Sequence, residues 1–155
     1  MSDSDLLDDF LSLSAALTGF SVAQLQGTGM APTYLDELVA VVGDRLSIAL
    51  VREGTLTLGW ADDVEDQLRL QVMEDPDLGP LARNLAVLWY TGSWNQLPVE
   101  WRERNGASSL DCDRLLSAQS WTEGLMWPAI GAHPTGAKPP GFASWVGPPS
   151  LEEQP

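Results

Sequence analysis

Proline is distributed unevenly along this chain. Four of its 11 prolines lie in residues 1–127, and seven lie in the last 28 residues. Proline has no backbone N–H and a fixed φ, so a dense run of it cannot build helix interiors or central strands. The chain therefore divides into a body, 1–127, that is free to form regular structure, and an arm, 128–155, that is not. Within the body the apolar spacing is helical. Leu6, Phe10, Leu13 and Leu17 recur at intervals of four, three and four, with Leu7 and Leu11 widening the face. This predicts a first helix over 5–18, capped by Asp3 or Ser4 and ended by Gly19.

Residues 20–31, with Gly27-Thr28-Gly29, read as a loop. Pro32 suits the first position of the next helix, whose face is Leu35, Leu38, Val42, Leu46 and Ala49. Gly43 costs about 1 kcal/mol relative to alanine inside a helix, so a break into two helices is expected there. The stretch Leu46 to Leu58 also admits a short strand. Asp62 and Asp63 open a further helix with Val64, Leu68 and Val72 inward, and Asp75-Pro76-Asp77 makes a turn. The following helix begins around Pro80, carries Leu81, Leu85 and Leu88 with Trp89 beside them, and ends at Gly92. A loop with Trp94, Pro98 and Trp101 comes next. Ser117 then caps a last helix holding Trp121, Leu125 and Met126, which Pro128 stops. The expected architecture is all-α: a small bundle of five or six helices (1–127) with an extended Pro/Gly-rich C-terminal arm (128–155), one domain overall.

The arm is not purely polar, since it carries Phe142, Trp145 and Val146. Apolar side chains on an extended segment need a surface, which is either the chain's own helices or a partner. Tryptophan makes the same point more broadly. Six of the seven tryptophans lie between Trp89 and Trp145. Tryptophan is rarely fully buried and is enriched at interface hot spots, so a shared apolar surface is expected beside a partly Trp-rich core.

A chain of 155 residues with 44% apolar content can bury a core of its own. The net charge of −14, from 22 acidic and 8 basic residues, disfavours nucleic acid and anionic lipid as partners. No apolar run reaches the length of a membrane-spanning helix. No leader is visible at the N-terminus, so the expectation is a cytoplasmic chain, one exported with its partner, or one whose leader has been removed. A single cysteine, Cys112, and a single histidine, His133, leave no internal disulfide and no Cys/His zinc site. Gly27-Thr28-Gly29 is half a dinucleotide-binding fingerprint without a preceding strand, and no phosphate-loop lysine or G-x-S-x-G elbow exists. Glu100 with Glu103, and Asp111 with Asp113, read as solvated loop charges. The expectation is a chain that holds no cofactor and runs no reaction.

Several blocks point further. One is Asp77-Leu78-Gly79-Pro80-Leu81-Ala82-Arg83-Asn84, running into Leu88-Trp89-Tyr90-Thr91-Gly92-Ser93-Trp94. A second joins Ser117-Ala118-Gln119-Ser120-Trp121, Gly124-Leu125-Met126-Trp127, Gly131-Ala132-His133-Pro134-Thr135-Gly136-Ala137-Lys138 and Gly141-Phe142-Ala143-Ser144-Trp145. Phe10-Leu11-Ser12-Leu13-Ser14, Leu17-Thr18-Gly19-Phe20 and Gly27-Thr28-Gly29-Met30-Ala31 also fit. Over residues 10–146 the chain resembles the small subunits of membrane-bound, FAD-containing sorbitol and fructose dehydrogenases. The resemblance implies a non-catalytic subunit that binds a large glucose–methanol–choline-type flavoprotein. FAD would sit in that partner, and a cytochrome c subunit often accompanies it. Small subunits of this kind support the folding, stability and export of the large one. The twin-arginine leader common among them is not seen here. Trp89, Tyr90, Trp94, Trp121, Trp127, His133, Pro134, Phe142 and Trp145 are then the expected partner-binding residues. A free-standing helical scaffold or regulator of another protein is the alternative.

Overall fold

The computed structural model describes residues 2–59, 63–106 and 108–134. It is an all-α bundle carrying one two-residue strand pair. The helices are α1 (Asp3–Thr18), α2 (Val22–Thr28), α3 (Ala31–Val42), α4 (Asp44–Leu58), α5 (Val64–Leu68), α6 (Leu78–Thr91), α7 (Val99–Asn105), α8 (Ala118–Thr122) and α9 (Met126–Ala129). α5 runs on into a π-helical turn, Arg69–Met73. The short helices α2, α7, α8 and α9 raise the number above the five or six expected.

The cap of α1 is Ser2 rather than Asp3 or Ser4. Asp5, three residues on, completes a reciprocal capping box, with Asp5 N donating to Ser2 Oγ and Ser2 N donating to Asp5 Oδ2. The same device makes a helix where a loop was expected. Ser21 and Gln24 form a capping box, Leu25 is the buried anchor, and Gly29 closes α2 at φ 71°. Two glycines in a short stretch concealed it. The strand alternative for Leu46 to Leu58 also gives way to helix, because Leu46, Leu50, Val51, Gly54 and Thr57 share one buried face. The break at Gly43 is as expected. Its φ of 82° with ψ 163° is a conformation reserved for glycine, and it separates α3 from α4 with no loop between them.

The core joins α1, α3, α4 and α6, with Phe10, Leu13, Tyr34, Leu38, Leu50, Leu81, Leu85 and Leu88 fully buried. Helices α1 and α4 approach closely at Gly54, where a Cβ would lie 2.6 Å from Leu13 Cδ1. Leu68 and Val72 face inward as expected, while Val64 is half-buried. The helix opens at Val64 after Asp63, and Asp62 lies outside the described residues. α6 starts at Leu78, so Pro80 sits in its first turn. Ahead of it, Asp75 Oδ1 accepts from Asp77 N and Leu78 N.

Beyond α6 the expected loop is built structure. Gly92 turns the chain at φ 73° into a strand pair with Ser93 opposite Leu115 and Trp94 opposite Arg114. Trp101 lies on α7, whose indole Nε1 donates to Asp77 O at 2.8 Å and fastens α7 to the start of α6. The single last helix is in fact two. α8 ends at Thr122, Gly124 breaks the path, and Leu125 is the residue before α9. Pro128 lies within α9 rather than stopping the helix, because a first-turn N–H has no intrahelical partner to lose. Among the described residues the last helix ends at Ala129.

Candidate functional site

The Trp-rich second half is organised around Trp89. Its ring takes Tyr34 edge-on at a centroid distance of 4.8 Å and Phe10 at 6.4 Å. Trp89 and Trp94 are both 0% exposed. They therefore belong to the core, and their expected role as partner-binding residues is corrected. α6 simply carries its buried face one position past Leu88. The Gly92 turn then folds Trp94 inward, where its Nε1 donates to Asp111 Oδ1 at 3.0 Å.

Asp111 was expected to be a solvated loop charge and is instead buried. Its Oδ1 also accepts Leu97 N at 3.0 Å, and its Oδ2 faces Arg102 Nε at 3.3 Å. One carboxylate thus holds an indole, a backbone amide and a guanidinium. Glu100 and Glu103 are exposed on α7. Cys112, next to Asp111, is exposed. Arg114 pairs with Glu37 and ties the strand pair to α3.

Four further aromatic side chains, Phe20, Tyr90, Trp121 and Trp127, cluster where α2 meets the segment through α8 and α9. Tyr90 is half-buried; its hydroxyl donates to Thr18 O at 2.7 Å and its ring takes Phe20 edge-on. Trp121 and Trp127 pack edge to face at 5.0 Å, and Trp127 Nε1 donates to Trp121 O at 2.8 Å. Backbone contact sets this arrangement. Leu125 N donates to Trp89 O, Leu116 N and Ser120 Oγ both donate to Gly92 O, and a Cβ on Gly124 would stand 2.7 Å from Tyr90 O. A Cβ on Gly92 would run into the Ser120 carbonyl. Glycine is needed at both places because one backbone lies on another.

Between these elements lies a groove of about 490 Å³, walled by Phe20, Gln24 and Thr28 on one side and by Leu125, Trp127 and Pro134 on the other. Glu123 and His133 are its titratable lining residues. His133 is exposed and Pro134 is buried. The structure thus brings Trp127, His133 and Pro134 to one groove and sets Trp121 against Trp127. Phe142 and Trp145 lie outside the described residues. Phe20, Gln24 and Thr28 were missed because their stretch read as loop; the Ser21–Gln24 spacing was the available signal.

A second apolar groove, about 480 Å³, lies between α1 and α3, lined by Leu6, Leu7, Leu35, Asp36 and Val39. Burial pushes the Tyr34 phenol above its usual range, with Glu123 adding to the shift, so it stays protonated at neutral pH. Among the described residues no three His, Cys, Asp or Glu side chains converge as a metal-binding group, and no single helix is long and apolar enough to cross a membrane. The lining of the first groove, apolar rings with backbone and a few polar tips, suits binding of an apolar side chain. No family model, curated protein or solved structure matches this chain.

Proposed function

We propose that this chain is the small, non-catalytic subunit of an FAD-dependent sugar, polyol or alcohol dehydrogenase complex. Its work is to bind and stabilise the large flavoprotein, which carries the FAD, with a cytochrome c subunit as a further member of the complex. The observation that carries the reading is the meeting of the two resembling blocks. The block from Asp77 to Trp94 and the block from Ser117 to Pro134 lie against each other through the contacts of Gly92, Ser120, Gly124 and Trp89 described above. Residues that are far apart in sequence and together carry the resemblance lie in contact. Together the two blocks present the half-buried Tyr90, Trp121 and Trp127 and the exposed His133 at the surface.

The net charge of −14 disfavours nucleic acid as the partner. To cover an aromatic-rich face of this kind, an interface of standard size or larger, roughly 1,600 Å², is expected. The test is affinity purification of the tagged chain from cells that make it naturally. A larger co-purifying polypeptide with a flavin absorbance spectrum is the expected result. A chain recovered alone, or with a partner lacking flavin, overturns the proposal and favours a free-standing scaffold or regulator.

A further inference from the structure

We propose that the groove between α2 and the α8–α9 segment is the seat of this chain's own C-terminal segment, residues 135–155, with Phe142 as the side chain that enters it. The occupant is argued from where the described chain ends. Pro134 is buried and forms part of the groove wall, so the next residue leaves from the site itself. Twenty-one residues follow, and the first large apolar side chain among them is Phe142, eight positions on. Eight residues span at most about 28 Å fully extended, so the groove lies within reach.

Size and chemistry agree. A space of about 490 Å³ takes one or two aromatic rings and is too small for a packed helix. The segment Lys138-Pro139-Pro140-Gly141-Phe142 is sterically barred from regular helix and brings a ring on a narrow backbone. Phe20, Leu125 and Trp127 offer apolar contact for that ring. Tethering also gives Phe142 an effective concentration of order millimolar, which a separate partner's side chain lacks. The consequence is that the aromatic surface presented outward combines α8, α9 and a covering C-terminal segment. This inference concerns the isolated chain and stands or falls independently of the flavoprotein.

The test uses the full-length chain with the photocrosslinker benzoylphenylalanine in place of Phe142. After irradiation, mass spectrometry locates the crosslink. Intramolecular crosslinks to Gln24, Leu125 or Trp127 are expected. Crosslinks elsewhere on the chain, only between chains, or none above background overturn the proposal. A second variant adds Gly27→Trp, which fills the groove from α2 at a position where a Cβ meets nothing within 4 Å. It should lower the groove crosslink at least fivefold while leaving the helical circular dichroism unchanged. An unchanged crosslink yield in this folded variant counts against the groove as the seat.

Discussion

In the bundle of α1, α3, α4 and α6, apolar faces position the chain. Phe10, Leu13, Leu38, Leu50 and Leu85 are fully buried, and few side-chain hydrogen bonds cross between these helices. From Gly92 to Pro134 the means are different. There one carboxylate gathers two hydrogen-bond donors and an ion-paired guanidinium, two glycines let backbones touch, and tryptophan indoles donate to Asp77 O, Asp111 Oδ1 and Trp121 O. Apolar contact is non-directional and tolerates sliding, whereas a hydrogen bond to a named atom does not. The bundle is therefore expected to supply most of the stability, and the second half a fixed shape. A shape held by directional contacts suits a surface that must match a partner.

The comparison breaks most severely in the bundle. Phe10→Ala removes a fully buried ring at the junction of α1 with Trp89, and a loss of about 3–5 kcal/mol is expected. Urea unfolding followed by circular dichroism should show a much lower midpoint, with the whole chain unfolding together. If the midpoint is barely changed, the bundle is not the main source of stability.

Gly92→Ala should act on the second half. The residue sits at φ 73°, and its Cβ would strike the Ser120 carbonyl. Left-handed strain and overpacking together cost roughly 2–4 kcal/mol. Hydrogen exchange should accelerate at Leu116, Ser120 and Leu125 before it does in α1 or α4. Uniform acceleration would mean that the two regions are not held separately.

Asp111→Ala is expected to cost about 2–3 kcal/mol, because it strands the Trp94 indole N–H and the Leu97 amide in a buried place. Arg102 also loses its partner there. The same exchange measurement should show loosening around Trp94 and α7 while Leu50 and Leu85 remain protected. Asp111→Asn keeps one acceptor and should lose less.

The smallest effect concerns acid. Hydrogen bonds from Asn105 and then Arg104 hold the Asp77 carboxyl below its ordinary value of 3.8. A depressed carboxylate adds stability that is present above the unfolded value and is lost as pH falls through the folded one. The contribution is therefore intact at neutral pH and disappears below the ordinary carboxylate range. Asp77→Asn should flatten the decline in melting temperature at acid pH slightly, an effect limited by the side chain's exposure to solvent. An unchanged slope would remove the Asp77 clasp from the account.

The two regions also differ in how far the sequence discloses them. Helical periodicity of Leu6 through Leu17 and Leu81 through Leu88 located α1 and α6 to within a few residues, and Gly43 marked the α3–α4 break. These elements bury one face of a long run, which a spacing pattern records directly. The helices α2 and α7 bury one main anchor each, Leu25 and Trp101, so no period emerges. The clasp at Asp111 joins residues 94 and 97 through hydrogen bonds and residue 102 through an ion pair, and nothing in the spacing of Asp111 and Asp113 distinguishes a buried carboxylate from a solvated one. The groove was legible in part. Trp127, His133 and Pro134 belonged to a recognisable block, but the opposite wall rests on α2. Tryptophan count did not separate core from surface, because Trp89 and Trp94 became core through a turn that only the fold creates.

The proposal that the second half is the partner-binding half is tested most directly by hydrogen exchange on the chain, free and in complex with the proposed flavoprotein partner. Added protection should concentrate between Ser117 and Pro134, with α4 and the α1–α3 groove at Leu6, Leu7 and Val39 unchanged. Protection centred on the α1–α3 groove, with residues 117–134 exchanging as fast as before, would contradict it.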